Sequence, residues 1–496
     1  MIHSAGSTAA VLAPRVLLAL GGGFLCAMGL VCVLVLKNAS TDAAEQLLWT
    51  QTLQAGYGIQ PPLYTWLQRL VFAVTGVNFP ALVFTKELLL GLTGVMMFLA
   101  ARRISRDETI AGLAVISFLL LPQFAYESQR DLSHSVLATM LAAATLWVVV
   151  RLVEEPRTWT YLLFGLVAAL GLLAKYSYGF LLAGVLFAAL SLPRFRVAFT
   201  DRRMGLTLVV FLAALTPHVA WLLSGLTPEM TTQASAKLNL GRETLSLARS
   251  AGSLLTLLKV TLAFVAPLGL VYGIAFFVRN RPATVEATAF PEAEQFLGRV
   301  LFVELALVAV LGAAGGVLGF KGRWMQPLLF FVPLYLLLRL RSRIHRRSVR
   351  RLLVVAGVCA TASLTALGGR VLFADLFKEY TRFNTPFDAL AGEIRARGFA
   401  RGVILTDHHW TAGNLRLRFP ESVVLTPGYK HLPFSRHAPA LIVWQGESMP
   451  IDLAKLLPEL GMDDWPAEQR YSVRLKYRYA GQASTTFTYA LRPRKQ

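Results

Sequence analysis

The chain has 496 residues, 55% of them hydrophobic and 16% charged, with a formal net charge of +21. That balance excludes an ordinary soluble domain and fits a polytopic membrane protein. It also gives no case for nucleic acid, because the basic residues cluster in short runs between apolar segments, where the positive-inside rule puts them.

Apolar runs long enough to cross about 30 Å of hydrocarbon fall at 14–36, 80–100, 109–125, 133–152, 158–174, 177–192, 204–223, 253–278, 299–317, 325–339 and 352–369. They predict about eleven spans, the fifth and sixth interrupted only by Lys175-Tyr176-Ser177-Tyr178. The first run has no small-residue cleavage site and reads as an uncleaved span. Cys26, Cys32 and Cys359 all lie inside apolar runs, with no disulfide framework and no metal-ligand spacing.

Alternate loops carry the Arg residues: 102, 103 and 106; 151 and 157; 194, 196, 202 and 203; 279 and 281; and the dense run from Arg339 to Arg351. The intervening loops are poorer in Lys and Arg. This bias sets the N-terminus in the cytoplasm. It puts Asn38–Gly76, the loop around Asp131, residues 224–252, the turn around Arg323 and everything after the last span on the outer side.

The stretch Asn38–Gly76, NASTDAAEQLLWTQTLQAGYGIQPPLYTWLQRLVFAVTG, is too polar to span and too apolar for a plain loop. Two amphipathic segments, 44–53 and 62–74, carry Trp49, Tyr57, Tyr64 and Trp66 as interfacial anchors. Pro61-Pro62 breaks the helix between them. After 372 the composition changes. A helix is expected over Pro386–Arg397 and buried strands over Gly402–Thr406, Ser422–Thr426 and Ala440–Trp444. A hairpin is expected from Tyr471–Tyr479 and Thr485–Leu491. The expected organisation is a transmembrane module over 1–370, with its outer loop at 38–79, and a small soluble α/β domain over 371–496.

Charges in or beside spans are costly, about 2.5–3.5 kcal/mol each at a helix centre on insertion scales, so they are candidates for function. Asp42, just past the first span, suits a general base or an electrostatic partner for an acceptor. The plain alternative is a helix N-cap, since Glu45 follows at capping distance. Asp131, in YESQRDLSHS, is either a second acid in the same cavity or a capped helix start. Lys175, flanked by Tyr176, suits a phosphate or a carboxylate; the alternative is a Lys snorkelling at a tight outer turn. Lys321 and Arg323, in GFKGRWMQP, are cations on the side where the charge rule does not expect them. The glycines around them let backbone approach an anion closely. His408-His409 beside Asp407 is read as an exposed loop, because adjacent histidines do not share one face and nothing nearby completes a metal set. No nucleophile elbow, phosphate-binding loop or dinucleotide fingerprint occurs.

Three segments carry a resemblance: TDAAEQLLWTQTLQAGYGIQPPLYTWLQRLVFAVTG, GLLAKYSYGFLLAGVLFA and GFKGRWMQPLLFFVPLYLL. They are similar to the GT-C polytopic glycosyltransferases, in the bacterial branch of aminoarabinose transferases, protein O-mannosyltransferases and lipopolysaccharide galacturonosyltransferases. The chain departs in having Ala43 where the family often has a second acid, and in lacking a Pro beside Asp131. The resemblance implies an all-α spanning module with outer interfacial helices. It implies inverting transfer of a sugar from a polyprenyl-phosphate carrier to a lipid, glycan or protein acceptor at the outer face of the bacterial inner membrane. Asp42, with Asp131, would act on the acceptor. Lys175, Tyr176, Lys321 and Arg323 would hold the carrier phosphate. No nucleotide or metal is needed, although a divalent cation is compatible with the acids. The competing expectations are a transporter of lipid-linked saccharide, which calls for inverted repeats, and a non-catalytic assembly subunit.

Overall fold

Hydropathy and length decide most of the transmembrane module. The computed structural model describes residues 14–225, 246–277, 291–315, 317–462 and 470–492. Helix α1 (Pro14–Val31) continues as a π-helical turn, Cys32–Leu36, and stops at Lys37, whose φ is 58°. The amphipathic helices α2 (Thr41–Trp49) and α3 (Leu63–Thr75) follow. Then come α4 (Phe79–Ser105), α5 (Glu108–Ile116), α6 (His134–Glu154), α7 (Thr158–Ala174), α8 (Tyr178–Ser191), α9 (Pro193–Phe199) and α10 (Met204–Gly225). The module closes with α11 (Leu247–Phe277), α12 (Pro291–Gly315), α13 (Gly322–Leu329), α14 (Val332–Arg339) and α15 (Arg346–Leu372).

Among the described residues, 7 helices are long and apolar enough to cross a membrane, or up to 9 if two bent pairs each count as one span. The bends are 69° between Glu108–Leu120 and Gln123–Arg130, and 114° between Tyr178–Ser191 and Pro193–Phe199. The expected count of about eleven therefore differs in two places. Helix α7 has 17 residues, about 26 Å at 1.5 Å per residue. The 325–339 run is broken into two helices of 8 residues, with Pro327 inside α13 and a Pro in the first turn of α14. Most of the expected outer loop at 224–252, and Arg279 and Arg281, lie outside the described residues, as do residues 1–13.

The C-terminal region forms a 5-stranded sheet in the order β2-β1-β3-β5-β4. Strands β1 (Val403–Thr406), β2 (Val423–Leu425) and β3 (Ala440–Gln445) are parallel; β4 (Arg470–Lys476) and β5 (Ser484–Arg492) add antiparallel to β3. The period-2 alternation sends Ile404, Val424 and Leu441 to one face, against α16 (Phe387–Ala396) and α17 (His409–Arg418). Val403, Leu405 and Ile442 face α18 (Ile451–Glu459). The expected strands and hairpin form within a residue of their predicted bounds, except that β4 ends at Lys476, three residues before the expected Tyr479.

This domain is bolted to the segment between α1 and α4. Leu48 of α2 is part of the core on the α16–α17 face. At Gly413 of α17 a Cβ would lie 2.5 Å from the Ala44 backbone, so the two helices pack at a distance only glycine permits. Asn38 donates to the carbonyls of Thr385 (2.8 Å) and Phe383 (3.2 Å), and Ala39 N donates to Asn414 Oδ1 at 2.9 Å. The short link between α1 and α2 is thereby fixed by residues more than 340 positions away.

Candidate active site

Four chain-distant elements meet at the start of α2. Ser40 is its N-cap and accepts from Ala43 N. Asp42 sits in the first turn, where a carboxylate is favoured by the helix dipole. Its side chain is not used as the cap. Asp42 Oδ1 instead accepts from Arg323 Nη1 at 3.3 Å, a pair with only 21% and 30% of the two side chains exposed. Asp42 N donates to Asp131 Oδ1 at 3.1 Å, so Asp131 satisfies one of the free N–H groups of α2 rather than capping its own helix. The other Asp131 oxygen faces Arg382 at 3.9 Å. Leu132 beside it has a φ of 63°, a conformation a non-glycine residue holds only where its surroundings enforce it.

Lys175 stands at the end of α7. Its Nζ donates to Ser135 Oγ (2.7 Å) and to the Arg323 carbonyl (2.8 Å), and Ser135 donates to that same carbonyl at 3.0 Å. Arg323 thus reaches the acid directly, and Lys175, from a separate element, holds the backbone from which Arg323 projects. Tyr176 turns towards α10: its hydroxyl is 2.9 Å from His218 Nε2, and the two rings stack at 5.8 Å. Lys321 is exposed at the start of α13.

Several residues in the neighbourhood gave no signal in the sequence. His134 is buried at the start of α6. Its Nε2 lies 3.0 Å from Gln46 Nε2 and its Nδ1 3.3 Å from the Ala174 carbonyl. Because Thr65 donates to Gln46 Oε1 at 2.7 Å, the Gln46 amide donates to Nε2, and the imidazole proton sits on Nδ1. Tyr64, buried beside Asp42, has its phenol pushed up by burial and by that charge. His409, expected in an exposed loop, is half-buried and faces Arg382 and Asp131. Burial, with His408 and Arg382 adding to it, holds its imidazole down at about 4. Lys86 of α4 donates to the Gln129 carbonyl at 2.7 Å and, with Asn38, Ser40, Arg130 and Ser133, lines a crevice beneath α2. That crevice shares Val83 with an apolar groove of about 890 Å³ between α1 and α4. The groove is lined by Gly21, Gly22, Phe84, Leu88, Val95 and Phe118, and Glu87 is its one charged side chain. Among the described residues no group of three or more His, Cys, Asp or Glu could hold a metal ion.

Comparison with known proteins places the fold and the family. The dolichyl-phosphate-mannose-protein mannosyltransferase family matches residues 59–221. The lipopolysaccharide core galacturonosyltransferase RgtB of Rhizobium johnstonii is 34% identical over 84% of this chain and 85% of its own length. This chain belongs to the lipopolysaccharide core galacturonosyltransferase family. RgtA of the same organism is 31% identical over 88% of this chain and 89% of its own length. ArnT from Cupriavidus metallidurans in the apo state superposes with a TM-score of 0.59 at 12% identity, covering 96% of this chain and 97% of that one, and establishes a shared GT-C fold. The undecaprenyl-phosphate-bound form of ArnT gives a TM-score of 0.57 at 11% identity over the same shares. The protein is a multi-pass membrane glycosyltransferase.

Proposed function

We propose that the protein transfers a uronic acid, galacturonate in class, from a polyprenyl-phosphate carrier to a lipopolysaccharide or related glycolipid at the outer face of the bacterial inner membrane. The observation that carries this reading is the pairing of the Asp42 carboxylate with the Arg323 guanidinium, on a backbone that the Lys175 ammonium holds from a third distant segment. The relatives' names supply the sugar and the acceptor class, ArnT's bound undecaprenyl phosphate supports the carrier, and the loop charges support the orientation.

In this reading an acceptor hydroxyl attacks the anomeric carbon as the bond from that carbon to the phosphate oxygen breaks. Attack opposite the leaving group inverts the centre. Asp42 orients the hydroxyl and takes its proton. Arg323, positioned by Lys175, faces the charge that grows on the departing phosphate, and fixed cations lower that cost without reorganising. Lys321 lies at the mouth, where it meets the phosphate on entry, and Tyr176 with His218 borders the same outer surface. Asp131 acts through α2, holding Asp42 in place. The groove between α1 and α4 suits a long apolar chain. No nucleotide or metal is required, because the sugar arrives already activated.

The test is sugar transfer by purified protein in lipid, with a panel of polyprenyl-phosphate sugars and a lipopolysaccharide core acceptor. The expected result is uronic acid on the acceptor and free polyprenyl phosphate in equal amount. Movement of labelled carrier across the bilayer with no transfer from any carrier would overturn the reading in favour of transport.

A further inference from the structure

At the opposite end of α2 from Asp42, two arginines meet with no acid paired to them among the described residues. Arg69 of α3 donates from Nη1 to the Thr50 carbonyl at 2.7 Å. Arg416 of α17 donates from Nη1 to Thr50 Oγ1 at 2.8 Å. Both guanidinium groups therefore converge on one residue. Arg416 is only 7% exposed, and its Nε is buried with no hydrogen-bond partner among the described residues. No ion pair links either arginine to an Asp or Glu among the described residues; the charged or titratable groups facing Arg416 are Tyr429 and Arg69 itself. Tyr429 donates to or accepts from Thr52 Oγ1 at 2.8 Å, and Tyr57 donates to the Thr52 carbonyl at 2.7 Å. Both phenols frame the pair.

A buried cation without a counter-charge is disfavoured by desolvation, and a second cation beside it adds repulsion. Capping the C-terminal end of α2 accounts for one N–H of Arg69, and the Thr50 hydroxyl for one of Arg416. Neither accounts for a second charge or for the unused Arg416 Nε. Two guanidinium forks flanked by phenols are the donor set that an oxyanion takes. Burial pulls the Arg416 guanidinium down to about 10, which still leaves it charged at neutral pH.

We propose that Arg69 and Arg416, framed by Tyr57 and Tyr429, form an oxyanion site that anchors a phosphate or carboxylate of the acceptor glycan. The proposal rests on the glycosyl transfer argued above and adds where the acceptor is held. From Asp42 to Thr50 is eight residues of α2, about 12 Å at 1.5 Å per residue, which is within the reach of a short oligosaccharide. The site lies between α2, α3 and α17, so the C-terminal domain supplies one of its two cations. An acceptor gripped there by an acidic group lies along α2 towards Asp42, and an acceptor without one lacks the grip.

The test uses the full-length protein in lipid. Acceptor KM, donor KM and kcat are measured for wild type, R69Q and R416Q, with native lipopolysaccharide core, its dephosphorylated form and its carboxyl-reduced form. Both variants are expected to raise acceptor KM about tenfold on the native acceptor, with donor KM unchanged and the loss not in kcat. Wild type should show the same rise on whichever modified acceptor lacks the anchoring group, which tells phosphate from carboxylate. On that acceptor R69Q should cost nothing further. Arg69 is half-exposed on α3, so R69Q keeps the test open if R416Q fails to fold. An acceptor KM unchanged in R69Q, or raised equally for all three acceptors, overturns the proposal. If wild type transfers no sugar, the functional reading falls separately. In that case thermal unfolding with inorganic phosphate decides the site: protection of wild type but not R69Q supports it, and equal or no protection overturns it.

Discussion

Asp42→Asn separates chemistry from architecture. The substitution keeps the shape of the side chain and an oxygen able to accept from Arg323, and it leaves the Asp42 backbone bond to Asp131 untouched. At the observed 3.3 Å separation the gross Coulomb attraction lost is about 5 kcal/mol at an effective dielectric of 20. Most of that is offset, because the pair is partly open to water and the retained hydrogen bond still satisfies the guanidinium, so the net effect on stability should be about 1–2 kcal/mol. Losing a positioned proton acceptor costs a factor of about 10²–10⁴ in rate, or about 3–5 kcal/mol of barrier. The rate effect should therefore far exceed the stability effect. The assay pairs single-turnover transfer with equilibrium binding of the polyprenyl-phosphate donor, and adds thermal unfolding of the same preparation. A variant that unfolds near wild type, binds donor and transfers at least a hundredfold more slowly supports the assignment. Transfer within tenfold of wild type, with donor binding intact, refutes it.

Lys175→Met removes the donation from Nζ to the Arg323 carbonyl and the one to Ser135 Oγ, leaving that carbonyl held by Ser135 alone. Donor KM should rise at least tenfold, as read by donor titration, whereas acceptor KM should hold. His409 is held below its ordinary value of 6.5, so the unfolded chain binds the extra proton first as pH falls. Its contribution is intact above about pH 6.5 and is lost progressively towards pH 4; thermal unfolding between pH 7 and pH 5 should fall more steeply for wild type than for His409→Gln. Gly413→Ala drives a methyl group into the Ala44 backbone. It should cost about 1–3 kcal/mol by overpacking, and transfer should fall with it, because α2 carries Asp42; chemical denaturation and activity on the same samples check this. A Cβ on Gly22 meets nothing within 4 Å, so a Gly22→Phe side chain starts without a clash and extends into the groove between α1 and α4. It should raise KM for long-chain carriers and spare a short-chain donor analogue.

The membrane module was largely legible, because hydropathy sums along the chain and needs no partner. The helices α2 and α3, the strands of the C-terminal sheet and the hairpin were legible because they are written in local periodicity. Asp42, Lys175 and Arg323 stood out because a charge beside an apolar run needs a reason. The span count was less secure: Pro327 and the Pro beginning α14 turn one apolar run into two short helices, and α7 is short for a span.

Which partner each charge meets is decided by tertiary structure alone. Asp131 has the local context of a cap for the helix that follows it, yet its carboxylate serves α2, 89 positions earlier. Arg323 meets Asp42 across 281 positions and Arg416 meets Thr50 across 366. His409 has the local context of an exposed loop, and only the docking of the C-terminal domain brings it to Arg382 and Asp131. Composition and periodicity report how much each segment prefers lipid to water, and that fixed the class and the layout. The pairing of charges depends on which distant segments are brought within a few ångströms, and on how much water is left between them. No local pattern encodes that, so the fold alone determined the site.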